Sequence, residues 1–183
     1  MSILPDSDRI SGYLPSGIHA ATHDELQQRF CEPVSGGDFS SPTRRQILFS
    51  GYEQLLEAMQ IAGMPARQWI GGSFISAEPD PGDIDLVSYC TVADYERLLP
   101  ETRALLKQYF LGKKTAAHCH CDSYFAVCPT DGKHSTDFET IERYWRRKLG
   151  HDRAARPKGI VLRELSPTTI NEDTEETTDA SAA

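Results

Sequence analysis

Trp69-Ile70-Gly71-Gly72-Ser73-Phe74-Ile75-Ser76-Ala77-Glu78-Pro79-Asp80-Pro81-Gly82-Asp83-Ile84-Asp85-Leu86-Val87 is the stretch that decides how this chain is read. A short apolar run enters a Gly-Gly-Ser turn, and after nine intervening residues two carboxylates follow at alternate positions, with Ile84 between them and Leu86-Val87 behind. Residues two apart on a strand share a face. The spacing therefore predicts that Asp83 and Asp85 stand side by side while Ile84 and Leu86 pack beneath. Two like charges that close repel unless a cation lies between them. Magnesium suits such a pair, because it is commonly held by one or two carboxylates together with substrate phosphates; manganese is the alternative ion. Gly71 and Gly72 let the backbone bend and approach a ligand. A short helix starting near Ser73 would turn free N–H groups toward an anion, with the Ser73 hydroxyl adding one bond.

Gly72-Ser73, the spacer and Asp83-Ile84-Asp85-Leu86 resemble the signature of the DNA polymerase beta-type nucleotidyltransferase superfamily, a Gly-Ser pair followed by Asp-x-Asp on a strand. The wider context, from Trp69-Ile70 to Pro81-Gly82-Asp83-Ile84-Asp85, is similar to a group of small, uncharacterised bacterial proteins related to that superfamily. So are Gly12-Tyr13-Leu14-Pro15-x-Gly17-Ile18-His19, Tyr144-Trp145 and Lys158-Gly159-Ile160. The resemblance covers most of residues 12 to 163 and is specific at the Gly-Ser and Asp-x-Asp positions. It implies a minimal nucleotidyltransferase fold in which Asp83 and Asp85 bind metal and Gly72 and Ser73 bind the phosphates of a nucleoside triphosphate. A third metal-binding, catalytic carboxylate is implied on a later strand. Asp122, in Cys121-Asp122-Ser123-Tyr124-Phe125-Ala126-Val127, is the leading candidate; Asp131 and Asp137, in a loop and near a helix start, are weaker ones. A structural account competes for each motif, with Asp-Ile-Asp as a solvated strand start, Gly-Gly-Ser as an ordinary turn and Asp122 as an edge-strand surface residue.

His118-Cys119-His120-Cys121 invites a zinc reading. On a strand, however, the histidines share one face with Asp122 and the thiols the other, and no Cys-x-x-Cys pair completes a site. The expected arrangement is buried thiols with histidines lining a cleft. Arg44-Arg45, Lys113-Lys114 and Arg146-Arg147-Lys148 are the cations available to phosphates, each also readable as solvated surface; the last group already suits a helix C-terminus.

The chain has 183 residues, enough for one domain with a core. Its net charge of −8 is unevenly placed, since residues 166–183 carry five acids and no Lys or Arg, leaving a body with 19 basic and 22 acidic residues. The body shows no dense basic stripe, so extended duplex binding is not indicated. No run is long enough for a membrane span. The five cysteines, without the regions of a signal peptide, predict reduced thiols and a cytoplasmic protein.

Along the chain, residues 1–20 read as an extended arm, 21–165 as a single domain and 166–183 as an acidic disordered tail. Within the domain, a capping box at Thr22 and Glu25 opens a helix to Cys31, and Ser41 can cap a second from about Thr43 to Ala62. Strands are expected at Gln68–Ile70, Asp83–Tyr89, Ala117–Cys128 and Gly159–Leu165. A helix from Thr91 to Phe110, bent at Pro100, and another from Ser135 or Thr136 to Gly150 complete the pattern. This predicts an α+β fold, a small mixed sheet with helices mainly on one side. Three functional classes remain in view. The first is transfer of a nucleoside monophosphate to an unknown acceptor hydroxyl on a small molecule, protein or RNA end. The second is an inactive, antitoxin-like binding protein acting with a partner or as a homodimer, and the third a phosphohydrolase.

Overall fold

The computed structural model describes residues 4–31, 43–64, 66–128 and 135–165, with backbone alone for 135–137. Five strands form one sheet: β1 (Gly17–Ala20), β2 (Ala66–Gly71), β3 (Ile84–Thr91), β4 (Cys121–Cys128) and β5 (Gly159–Leu165). Six helices accompany them among the described residues: α1 (His23–Cys31), α2 (Arg44–Ile61), α3 (Val92–Arg97), α4 (Pro100–Lys107), α5 (Ala116–Cys119) and α6 (Ser135–Leu149). The sheet order is β1-β5-β2-β3-β4. The outer pairs, β1 with β5 and β3 with β4, are parallel, and the inner pairs are antiparallel. The fold is thus α+β with a mixed sheet.

Alternation along the strands makes two apolar layers. Ile70, Ile84, Leu86 and Val161 meet buried residues of α1, α2, α4 and α5 on one face. Trp69, Val87, Tyr89, Cys128 and Ile160 meet Trp145 and Leu149 of α6 on the other. Most helices therefore do lie on one side, with α6 alone capping the opposite face among the described elements.

Local chemistry explains the helix starts. Thr22 and Glu25 form the expected capping box. Thr43 itself caps α2 in a second box with Gln46; Ser41 lies outside the described residues. The expected single helix over 91–110 is two, because Leu98 and Leu99 are extended and Pro100, lacking an N–H, starts the next helix at its first turn. The expected strand over Ala117–Cys128 begins four residues late. Ala116-Ala117-His118-Cys119 is helical and His120 closes it in the left-handed region at φ 56°.

The division into arm and domain also needs correction. Leu4 and Leu14 are buried in the main core and Gly17–Ala20 pairs with β5, so residues expected to form a separate arm belong to the domain. The apolar side chains in that segment need cover, and the sheet supplies it. The tail 166–183 lies outside the described residues.

Gly51 makes a local test of this packing. It sits inside α2, where a Cβ would overlap the backbone carbonyl of Cys119 on α5. Gly51→Ala should cost about 1–3 kcal/mol despite the better helix propensity of alanine. The urea midpoint would report it, with Gly82→Ala, which meets nothing within 4 Å, as the near-neutral control.

Candidate functional site

The carboxylates collect where β3 and β4 begin. Asp83 directly precedes β3, Asp85 is its second residue, and Asp85 is the register partner of Asp122 on parallel β4. The start of β3 is pinned because the Ile84 N–H donates to the His120 carbonyl at 3.0 Å. Antiparallel pairing sets Gly71 on the other side of Asp85. Asp85 and Asp122 thus share the α6 face of the sheet, flanked by the Gly-Gly-Ser segment.

Burial and mutual repulsion perturb this cluster. Asp85 is pushed up to about 6, first by burial and then by Asp83 and Asp122, against the opposing pull of Lys158 and Lys148. Asp83 is also raised, by burial and then Asp122, while Lys113 and Arg44 lower it. Asp122 is only 4% exposed, and its Oδ1 has no hydrogen-bond partner. A buried carboxylate oxygen without a partner is costly.

Gly72 completes the cradle. Its φ is +77°, and a Cβ there would stand 2.9 Å from Asp85 Cγ and overlap the carboxylate itself. The segment after it is a turn, so the expected helix start at Ser73 is absent. The Ser76 N–H and hydroxyl both donate to the Ser73 carbonyl, at 3.1 and 2.7 Å, and close the chain too tightly for a helix to continue. Those two bonds leave the N–H groups of Gly72 and Ser73 outside them, on a half-buried surface.

The cations redistribute the expectations. Arg45 is a structural clasp whose guanidinium donates to the carbonyls of Phe30, Phe74, Ser76 and Glu78, holding the segment after the Gly-Ser turn. Arg44 donates to the carbonyls of Pro81 and Gly82, just before Asp83. Lys158, which enters the sequence reading only within the Lys-Gly-Ile similarity, is half-buried and interacts electrostatically with Asp85 and Asp152. Lys148 reaches over Tyr124, 3.7 Å from the ring centroid. Tyr13 donates to Asp152 at 3.1 Å, and its ring lies under Arg156 and Lys158. The Gly-Tyr-Leu-Pro and Lys-Gly-Ile segments therefore meet beside the carboxylates; local spacing carried no signal of that.

His118 is exposed on α5 and His120 occupies its left-handed cap, so neither alternates with Asp122 along a strand. Cys119 and Cys121 are buried, as expected. Asp131 lies outside the described residues, as does the side chain of Asp137. Of the two aromatics on α6, Trp145 is buried and Tyr144 is 58% exposed. Among the described residues no group of three or more His, Cys, Asp or Glu side chains is arranged to hold a metal ion. A hollow of about 500 Å³, lined by Trp69, Tyr89, Phe138 and Glu142 among others, lies toward the opposite end of the same sheet face. No helix among the described residues is long and apolar enough to cross a membrane.

No curated protein and no solved structure matches the chain. Residues 5–162 match DUF6932, a family of unknown function. That span holds the Gly-Ser turn, all three clustered carboxylates and both lysines beside them, and the chain belongs to the DUF6932 family.

Proposed function

We propose that this chain is a magnesium-dependent nucleotidyltransferase, moving a nucleoside monophosphate from a nucleoside triphosphate to an acceptor hydroxyl. The carrying observation is the joint position of Asp83, Asp85 and Asp122 beside a glycine whose missing side chain leaves room against Asp85. What supports a divalent cation there, although the three carboxylates are not preset around one, is that the cluster is self-repelling and holds an unpartnered carboxylate oxygen. Manganese would suit the same oxygen donors. Asp83 and Asp85 would hold the ion, Asp122 would complete the set, and triphosphate oxygens would supply the ligands the protein does not. Bound there, magnesium supplies charge neutralisation at the phosphates and activation of the attacking oxygen.

The chain's own groups then divide the work. The Gly72 and Ser73 N–H groups and the Ser73 hydroxyl bind phosphate oxygens in the turn. Lys158 and Lys148 add positive charge on the α6 side of Asp85. Asp122 assists removal of the acceptor proton, and the neighbouring lid of Leu149 on Gly71 limits water from one side. The buried, unbridged thiols are compatible with a reducing cytoplasm.

Thermal stability across the four nucleoside triphosphates, with magnesium and with chelator, tests this reading. A ligand at 100 times its Kd should add about 2.7 kcal/mol, several degrees in Tm for a domain of this size. A magnesium-dependent rise with at least one nucleotide, followed by pyrophosphate release with a suitable acceptor, is the expected result. No rise with any of the four removes the enzymatic reading in favour of a partner-binding protein on the same scaffold.

A further inference from the structure

Although the body as a whole carries no dense basic stripe, one short segment is locally basic. Residues 143–158 contain seven of the nineteen Lys and Arg residues and one of the twenty-seven acids, in a chain of net charge −8. The end of α6 and the loop leading to β5 fold this segment around a hollow of about 640 Å³ lined by Arg143, Arg146, Arg147, His151, Asp152 and Arg153. Its one acid is already satisfied, accepting from Tyr13 and Arg156. Arg146 is likewise held by Glu142. Arg143, Arg147 and Arg153 are exposed and have no acidic partner among the described residues.

A helix C-terminus accounts for cations at Arg146, Arg147 and Lys148. It does not account for Arg153, which lies in the loop beyond, or for Arg143, nearly two turns before the end of α6. Converging guanidinium groups repel one another and suit a ligand that carries several anionic oxygens. Tyr144, 58% exposed and edge-on to Trp145 at 5.1 Å, follows Arg143 on α6 and offers an accessible ring outside the lining of the hollow. Cationic grooves with accessible rings nearby hold single-stranded nucleic acid by backbone contact and base stacking, and a strand's end is the occupant that supplies an acceptor hydroxyl to the proposed transfer. The groove also adjoins the carboxylates, because Lys148 follows Arg147 directly and acts on Asp85, while Leu149 packs over Gly71.

We propose that this groove binds the phosphodiester backbone of a single-stranded nucleic acid and brings its terminal hydroxyl to the Asp83–Asp85 site, an inference that rests on the nucleotidyl-transfer reading. The hydroxyl oxygen bonds to the α-phosphorus, and the bond from that phosphorus to the oxygen bridging it to the β-phosphate breaks, that oxygen leaving with the β-phosphate. Pyrophosphate leaves, and the hydroxyl proton passes through the carboxylate cluster to solvent.

The test uses the full chain without nucleotide and in chelator, so that binding is measured apart from catalysis. Fluorescein-labelled RNA and DNA strands of about twelve nucleotides, and the corresponding duplex, are titrated by anisotropy over a range of salt concentrations. A single strand should bind more tightly than the duplex, and the RNA and DNA arms identify which sugar is preferred. Arg143→Gln/Arg147→Gln/Arg153→Gln should weaken binding at least about tenfold at low salt and flatten the salt slope by about 2, from three lost phosphate contacts. Its Tm should match wild type, and single Arg147→Gln and Arg153→Gln variants should each show part of the loss. The triple variant should keep the magnesium-dependent thermal shift with nucleoside triphosphate while losing strand binding, which separates failure of the groove from failure of the catalytic reading. The proposal is overturned by absence of binding at low salt, by unchanged affinity in the triple variant, or by tighter binding of the duplex. Equal displacement by poly-glutamate of matched charge also overturns it and assigns the groove to an acidic protein.

Discussion

Asp85→Asn should abolish magnesium-dependent nucleotide binding and lower turnover by at least about a hundredfold, on the order of 3 kcal/mol in the barrier, while making the protein more stable. The two effects have one cause. Asp85 is held half-buried beside Asp83 and Asp122, an arrangement that raises it to about 6. The folded form therefore binds the proton more tightly than the unfolded chain, whose carboxylate titrates near about 4. Between those values the native state holds more protons, so unfolding free energy falls as pH rises, and the penalty is complete above the folded-state value. In chelator, the variant should gain about 1–3 kcal/mol over wild type at pH 7.5. The gain should shrink as pH falls through 6 and vanish below about 4, where both forms are uncharged at this position. Urea melts at a series of pH values would show it. Nucleotide binding by wild type should weaken below about pH 6 for the same reason, since the ion must displace that proton. Asp85 as an ordinary surface residue predicts none of this: its replacement would leave stability flat with pH and nucleotide binding intact.

The two motifs that suggested the site were legible because each is local. Alternation predicts Asp83 and Asp85 on one face, though β3 begins only at Ile84, and the resemblance implies a later-strand carboxylate for which the lone acid of a β-prone run, Asp122, is the leading candidate. Their meeting was not local information. It depends on β3 and β4 pairing in parallel with Asp85 opposite Asp122, a register set across α3, α4 and α5. No periodicity within either strand specifies that offset. The histidines were misplaced for a related reason. Ala116-Ala117-His118-Cys119 alternates acceptably as a strand, but its two alanines favour a helix, and the turn packs Cys119 against Gly51. Arg45 shows the opposite limit. As a sequence element it is one of two adjacent cations at a helix start, and only the tertiary fold supplies the four carbonyls to which its guanidinium donates. Lys158 is its converse, a residue of the Lys-Gly-Ile similarity that the pairing of β5 between β1 and β2 brings within the electrostatic reach of Asp85.

Gly72→Ala should be as damaging to nucleotide binding as loss of Asp85, and unlike that change it should also destabilise the protein. Two terms contribute. At φ +77° an L-residue is strained by about 1 kcal/mol or more, and the new methyl would overlap the Asp85 carboxylate. Gly63→Ala separates them, because Gly63 has a comparable φ of +61° with nothing within 4 Å of the added carbon. That variant should lose only the backbone term. The excess cost at Gly72 is then the collision, expected at about 1–3 kcal/mol. A double-mutant cycle with Asp85→Ala isolates it further, since removing the carboxylate leaves the methyl room. The cost of Gly72→Ala should fall by roughly 1–2 kcal/mol in that background, a non-additivity of the size seen between residues in contact. Additive costs would mean that Gly72 does not press on Asp85, and the Gly-Ser turn would then have no fixed position relative to the carboxylates. With the coupling present, the glycine is required by the carboxylate it faces, which ties the turn and the Asp-x-Asp strand into a single site.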